Sequence, residues 1–124
     1  MKIAKKDAPV AVERDGYTAR WTELGGMQIA FETCAKGYNI DHLLTIFPHQ
    51  KCPVEHWGYI LSGRVQVKYA DDSEEILEPG DVFYAQPGHA PYFLEDTEII
   101  QFTPKREHAE MVEKVMASGL LDSK

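Results

Sequence analysis

The chain has 124 residues, enough for one domain with a buried core and too few for two. Thirteen basic against twenty acidic residues leave a formal charge of −7 with no basic patch, which argues against a nucleic-acid partner. No run approaches the roughly eighteen apolar residues of a membrane span, and no apolar stretch follows the basic start Met1–Asp7, so neither a membrane nor a signal peptide is expected.

In chain order, Tyr17–Leu24 alternates and stops at Gly25-Gly26, Met27–Ala35 ends at Lys36-Gly37, and Ile40–Phe47 is a third apolar run closed by Pro48. His56–Leu61 leads to Ser62-Gly63. Arg64–Tyr69 then alternates cleanly, with Val65, Val67 and Tyr69 on one face. Ala70-Asp71-Asp72-Ser73 has the residue types of a hairpin turn, and Glu74–Leu77, Asp81–Ala85, Ala90–Leu94 and Glu98–Phe102 complete the strand set. Strands at about ten-residue spacing with Gly, Pro and Asp turns predict an all-β sandwich or barrel. The tail changes period: Thr103 can cap, Pro104 suits a first helical position, and His108, Met111, Val112, Val115 and Met116 form one stripe before Gly119. A C-terminal helix over about Pro104–Ala117 is expected.

Chemistry concentrates in two stretches, Phe47–Gly63 and Pro79–His89, which hold three of the five histidines and one of the two cysteines. His49, Cys52 and His56 have helical spacing, but Pro48 and Pro53 forbid a helix, since Pro53 lacks an amide and would clash with the carbonyl four back. In extended chain Cys52 and His56 fall on one face. Imidazole and thiolate together favour zinc, copper or ferrous iron over magnesium or calcium. Each residue alone reads as readily as structure, Cys52 as a small buried hydrophobe and His49 as a solvated loop residue. Their convergence favours a metal site.

These two stretches resemble the motifs of the cupin superfamily, and the likeness covers about Ala19–Phe102. The family's first motif is a His-x-His pair, a Glu, and a Gly seven residues after that Glu. Here the position seven before Gly63 is His56, preceded by Cys52 or Lys51 and by Gln50 or His49. The second motif is matched by Gly80 and by Pro87-Gly88-His89, although the usual register counted from Pro87 reaches Tyr92. The resemblance implies a double-stranded β-helix, the cupin jelly-roll barrel, over about residues 17–102, with the C-terminal helix outside it and residues 1–124 forming one domain. It implies a divalent transition metal (zinc, iron or copper) held by His49, Cys52, His56 and His89. His42 and Tyr92 are carried as pocket residues. The implied function is a metal-binding small-molecule enzyme of oxygenase, isomerase or lyase type, with a non-catalytic binding or sensing module as the alternative.

Other features read as structure. His108 is assigned to packing or solvent, and Cys34 with Cys52 to free thiols of a cytoplasmic protein. The acidic residues Asp71, Asp72, Glu74 and Glu75 lack the spacing and glycine of a calcium loop. Trp57, Tyr59, Val65, Val67 and Tyr69 cannot all be buried in one thin barrel, so a homodimer paired sheet to sheet is expected.

Overall fold

The alternating segments become strands wherever one face can be buried between two sheets. The computed structural model describes residues 1–120. Its strands are β1 (Val10–Arg14), β2 (Tyr17–Leu24), β3 (Met27–Cys34), β4 (His56–Ser62), β5 (Val65–Tyr69), β6 (Glu74–Leu77), β7 (Val82–Ala85), β8 (His89–Phe93) and β9 (Thr97–Pro104). They form a six-stranded sheet in the order β1-β2-β3-β9-β4-β7 and a three-stranded sheet β6-β5-β8, and every pair is antiparallel. This is the jelly-roll barrel expected of the chain. The inner faces meet in a core of Cys34, Ile60, Val65, Val67, Phe83 and Ile99. Of the five residues expected not all to fit inside, Val65, Val67 and Tyr69 are buried and Trp57 and Tyr59 are exposed.

Turn chemistry sets the corners. Gly63, at φ +90°, separates β4 from β5, and a Cβ there would lie 2.4 Å from the Asp96 carbonyl oxygen and 2.6 Å from Thr97 Cα. Backbone does not yield to such an approach, so both the left-handed conformation and the space demand glycine. The Ala70–Ser73 turn holds Asp72 at φ +70°, where aspartate is tolerated.

Strand β1 lies before the expected barrel span, and two further segments depart from expectation. Ile40–Phe47 is not a strand. The Asn39 side chain accepts the Asp41 amide at 2.7 Å, and α1 (Asp41–Leu44) follows as one helical turn that buries Leu44. The tail helix α2 runs Lys105–Ser118, because β9 continues through Thr103 to Pro104. Thr103 is thus a buried strand residue and not the cap. Gly119 ends α2 in the left-handed conformation, as expected. The segment from α1 to Val54 packs with Met111 and Val115 of α2 around Leu44, Phe47, Cys52, Val54 and Ala90, covering one end of the barrel. Among the described residues no helix is long and apolar enough to cross a membrane.

Candidate metal centre and cavity

Three side chains from three places in the chain converge at the covered end of the barrel. Cys52 lies just before β4, in a stretch with no regular structure. Its amide donates to the His89 carbonyl at 2.8 Å, and its own carbonyl accepts the Gly88 amide at 2.8 Å. This single bridge between Cys52 and His89 sets the two residues side by side. His56 opens β4 with its side chain inward and stands directly across from Thr103 when the β4–β9 register is continued one step. Donor atoms of Cys52, His56 and His89 all lie within 4.8 Å of one another, and the two rings meet edge to face with centroids 4.9 Å apart.

The hydrogen bonds leave the right atoms free. His89 Nδ1 donates to the Gln86 carbonyl at 2.7 Å, so its Nε2 keeps the lone pair. His56 Nδ1 is bonded to Thr103 Oγ1 at 2.7 Å, and its Nε2 stands 3.7 Å from Cys52 Sγ. Imidazoles anchored through Nδ1 with Nε2 presented to a common point are the usual arrangement of metal-bound histidine. With metal–nitrogen bonds of about 2.1 Å and metal–sulfur bonds of about 2.3 Å, ligand atoms around one ion lie about 3.3–4.4 Å apart, so small side-chain rotations suffice. The residues fit a soft or borderline transition metal.

Burial keeps all three side chains uncharged. Burial pushes the Cys52 thiol up to about 11, although its bond to the Val54 carbonyl pulls the other way. Burial first, then His89 and His108 nearby, lower His56 to about 3. His89 is also lowered by burial, against the opposing bond to Gln86. Without metal the trio is a neutral thiol and two neutral imidazoles. A metal would take the thiolate and the imidazole lone pairs.

These three side chains open onto a cavity of about 230 Å³ that runs between the sheets, with largely apolar walls. One polar group inside it escapes a reading for metal motifs. Glu32 of β3 takes a hydrogen bond on each carboxylate oxygen, from the Tyr17 hydroxyl and from the Gln101 amide. Tyr17 and Gln101 are its diagonal neighbours on β2 and β9, which is how both reach it. The surface that Glu32 retains faces the cavity. Burial accordingly raises its pKa, and the two hydrogen bonds oppose the rise without cancelling it. Period two places Glu32 on the same face as Cys34, which is buried in the core, and that was the signal available in the sequence. Gln101 and Thr103 are consecutive inward positions of β9, about 7 Å apart. Glu32 and the Cys52–His56–His89 cluster therefore share one cavity. We expect an infrared band of protonated carboxyl that persists at pH values where exposed glutamates have ionised, and that is absent from Glu32→Gln. A variant spectrum identical to wild type would refute the assignment.

The remaining sequence-predicted residues lie elsewhere. His49 is corrected from ligand to surface: Pro48 starts a tight turn, His49 and Gln50 both take positive φ, and the His49 side chain is exposed. Tyr92 is corrected as well. Strand alternation turns His89, Pro91 and Phe93 to the cavity and Tyr92 outward, where its hydroxyl donates to Asp41 at 3.1 Å. This leaves His89 as the second-motif residue in the cluster. His42 sits on α1 with an enclosed Nε2 that has no hydrogen-bond partner, and it does not line the chamber. His108, assigned from sequence to packing or solvent, is buried against the edge of Trp21 (4.6 Å between centroids) and lines the cavity. Both cysteines are free and buried.

Solved structures share this architecture. The structure of KdgF from Halomonas sp. superimposes with a TM-score of 0.61 over 86% of this chain and 94% of that one, at 20% identity. An RmlC-like cupin from Shewanella frigidimarina NCIMB 400 gives 0.59 over 86% and 92%, at 17% identity. The chain has the cupin fold. A third neighbour, the crystal structure of Fe(II)-HppE with alternative substrate (S)-1-HPP, matches with a TM-score of 0.57 over 83% of this chain and 59% of that one, at 12% identity. No protein-family model and no curated protein matches the sequence. At these identities the neighbours establish the fold, and the chemistry has to be argued from the residues present.

Proposed function

We propose that this chain is a metal-binding cupin enzyme that takes up a small, largely apolar molecule in the barrel cavity. One observation carries the reading: the Cys52–His56–His89 cluster and the Glu32–Tyr17–Gln101 group open onto the same cavity. A transition metal held there would supply Lewis acidity or one-electron chemistry. The Gln86 carbonyl and Thr103 hold the two imidazoles in place, the largely apolar walls suit an apolar molecule, and Glu32 can accept or return a proton beside it. The neighbour with Fe(II) and a bound substrate supports metal-centred small-molecule chemistry in this fold. A non-catalytic binding or sensing role has one observation in its favour: His56 stands where the family's glutamate would and Cys52 where a histidine would, and the thiolate, a strong donor, weakens a metal's acidity.

Elemental analysis of untagged protein grown with supplemented zinc, iron and copper tests the reading. Wild type should carry about one metal per chain, whereas Cys52→Ser and His56→Ala should carry little. Equal trace metal in all three would sink it.

We also propose that two copies pair through the outer face of β4, β7 and β9. Cross-strand neighbours Trp57, Tyr59, Tyr84, Val82 and Phe102 lie exposed there in one patch, Val82 at 80% of its full surface. An apolar, mainly aromatic patch on one sheet face suits isologous contact with its own copy. Light scattering should give twice the 14.1 kDa of one chain, and Val82→Arg should reduce it to one. A wild-type mass of a single chain would refute the pairing.

A further inference from the structure

A fourth donor stands beside the cluster, and no motif spacing announces it. Met111, half-buried on α2, lines the cavity, and its Sδ is 3.7 Å from Cys52 Sγ. That equals the separation between the same sulfur and His56 Nε2. Two imidazoles, a thiol and a thioether thus meet from β4, β8, the segment before β4 and the C-terminal helix. A methionine in a core is ordinarily a flexible gap-filler that turns whichever atoms fit. Here the polarisable sulfur itself touches the thiol that a metal would take.

The donor types discriminate among metals. A thioether is neutral, soft and weak, and adds little to the binding of zinc. Two histidines and a cysteine with a weak methionine in addition form the ligand set that suits copper, since thiolate and thioether hold the reduced ion and imidazole both oxidation states. We propose that Met111 is a fourth, weak ligand and that Cys52, His56, His89 and Met111 form a copper site. Binding exchanges the Cys52 S–H bond for a sulfur–copper bond and releases that proton to solvent. The proposal deepens the metal-binding reading and rests on it. It also gives α2 a part in the site, because the helix that closes the barrel end supplies the fourth group.

The test uses reduced, metal-free full-length protein titrated without oxygen with zinc(II), copper(II) and copper(I), in wild type, Met111→Leu, Met111→Gln and Cys52→Ser. Leucine conserves volume and glutamine offers an oxygen, so two independent replacements are available if one folds poorly. Copper(II) should give wild type an intense visible thiolate-to-copper absorption that Cys52→Ser lacks. In Met111→Leu and Met111→Gln the band and the copper hyperfine splitting should shift, and copper(I) affinity measured against a chromophoric chelator should fall about tenfold or more. Zinc affinity should be nearly the same in wild type and Met111→Leu. Unchanged spectra and copper(I) affinity in both Met111 variants, with zinc still bound one to one, would overturn the role of Met111 and leave the three-ligand site standing. Failure of wild type to bind zinc or copper would overturn the metal centre and this proposal with it.

Discussion

Thr103→Val is expected to weaken metal binding ten- to a hundredfold while leaving the three ligands in place. Thr103 Oγ1 lies 2.7 Å from His56 Nδ1, and the rest of the residue is packed inside the barrel with 3% of its surface exposed. Valine keeps the shape and removes the hydroxyl, so the ring loses the partner that fixes its orientation and tautomer. Outer partners of metal-bound histidines are worth about 10–100-fold in affinity when removed. The loss of a partly buried hydrogen bond costs about 1–3 kcal/mol of stability in addition, so affinity must be compared where both proteins are folded. Thr103→Ser, which restores the hydroxyl, should recover most of the affinity. Competition with a zinc chelator measures all three proteins. If Thr103→Val binds zinc as tightly as wild type, His56 is not held by Thr103 in the metal-bound state, or it is not a ligand.

The parts of this architecture that could be read from the chain were those written in local chemistry. Arg64–Tyr69 alternates because one face is core, and it became β5 with Val65, Val67 and Tyr69 inside. Asp81–Ala85 followed the same rule as β7, with Phe83 and Ala85 inside. Of the four residues expected to ligate, Cys52, His56 and His89 converge, since the period of extended chain and the Pro87-Gly88 turn carry that information. His49 failed on backbone geometry: two successive residues at positive φ carry it away, and residue type alone does not announce such a turn. Ile40–Phe47 failed because an apolar run reads alike for strand and for short helix, and the deciding bond runs from the Asp41 amide to the Asn39 side chain. The cavity partners were hidden for another reason. Glu32 meets Tyr17 and Gln101 only through diagonal registers between β2, β3 and β9, and Met111 meets Cys52 only when α2 folds over the barrel. Pairings of that kind belong to topology, which no window of sequence contains.

Acidification of the metal-free protein is expected to destabilise it from about pH 6.5 downward, with His56 as the largest identified contributor. An unfolded histidine takes its proton near pH 6.5, whereas folded His56 resists until about 3 because it is buried beside His89 and His108. Between those limits the unfolded state binds more protons, so the stability is fully present above pH 6.5 and is lost as pH falls. Each pH unit in this window costs about 1.4 kcal/mol for one such group, or about 3 kcal/mol by pH 4.5. His89 and His108 are lowered by burial too and act in the same sense. Glu32 acts in the opposite sense. Its folded pKa is raised, so the folded state binds the extra proton and acidification through that range favours folding. Urea denaturation at a series of pH values, in Glu32→Gln with and without His56→Asn, separates the two. Without Glu32 the midpoint should fall steeply below pH 6.5, and the His56→Asn change should flatten that slope by about one proton. Bound metal should sharpen the loss, since protons then compete directly for the nitrogen lone pairs and the thiolate. Equal slopes with and without His56 would mean that the folded protein lets this ring take up a proton as freely as the unfolded chain does, and the enclosed neutral imidazole described for the site would have to be abandoned.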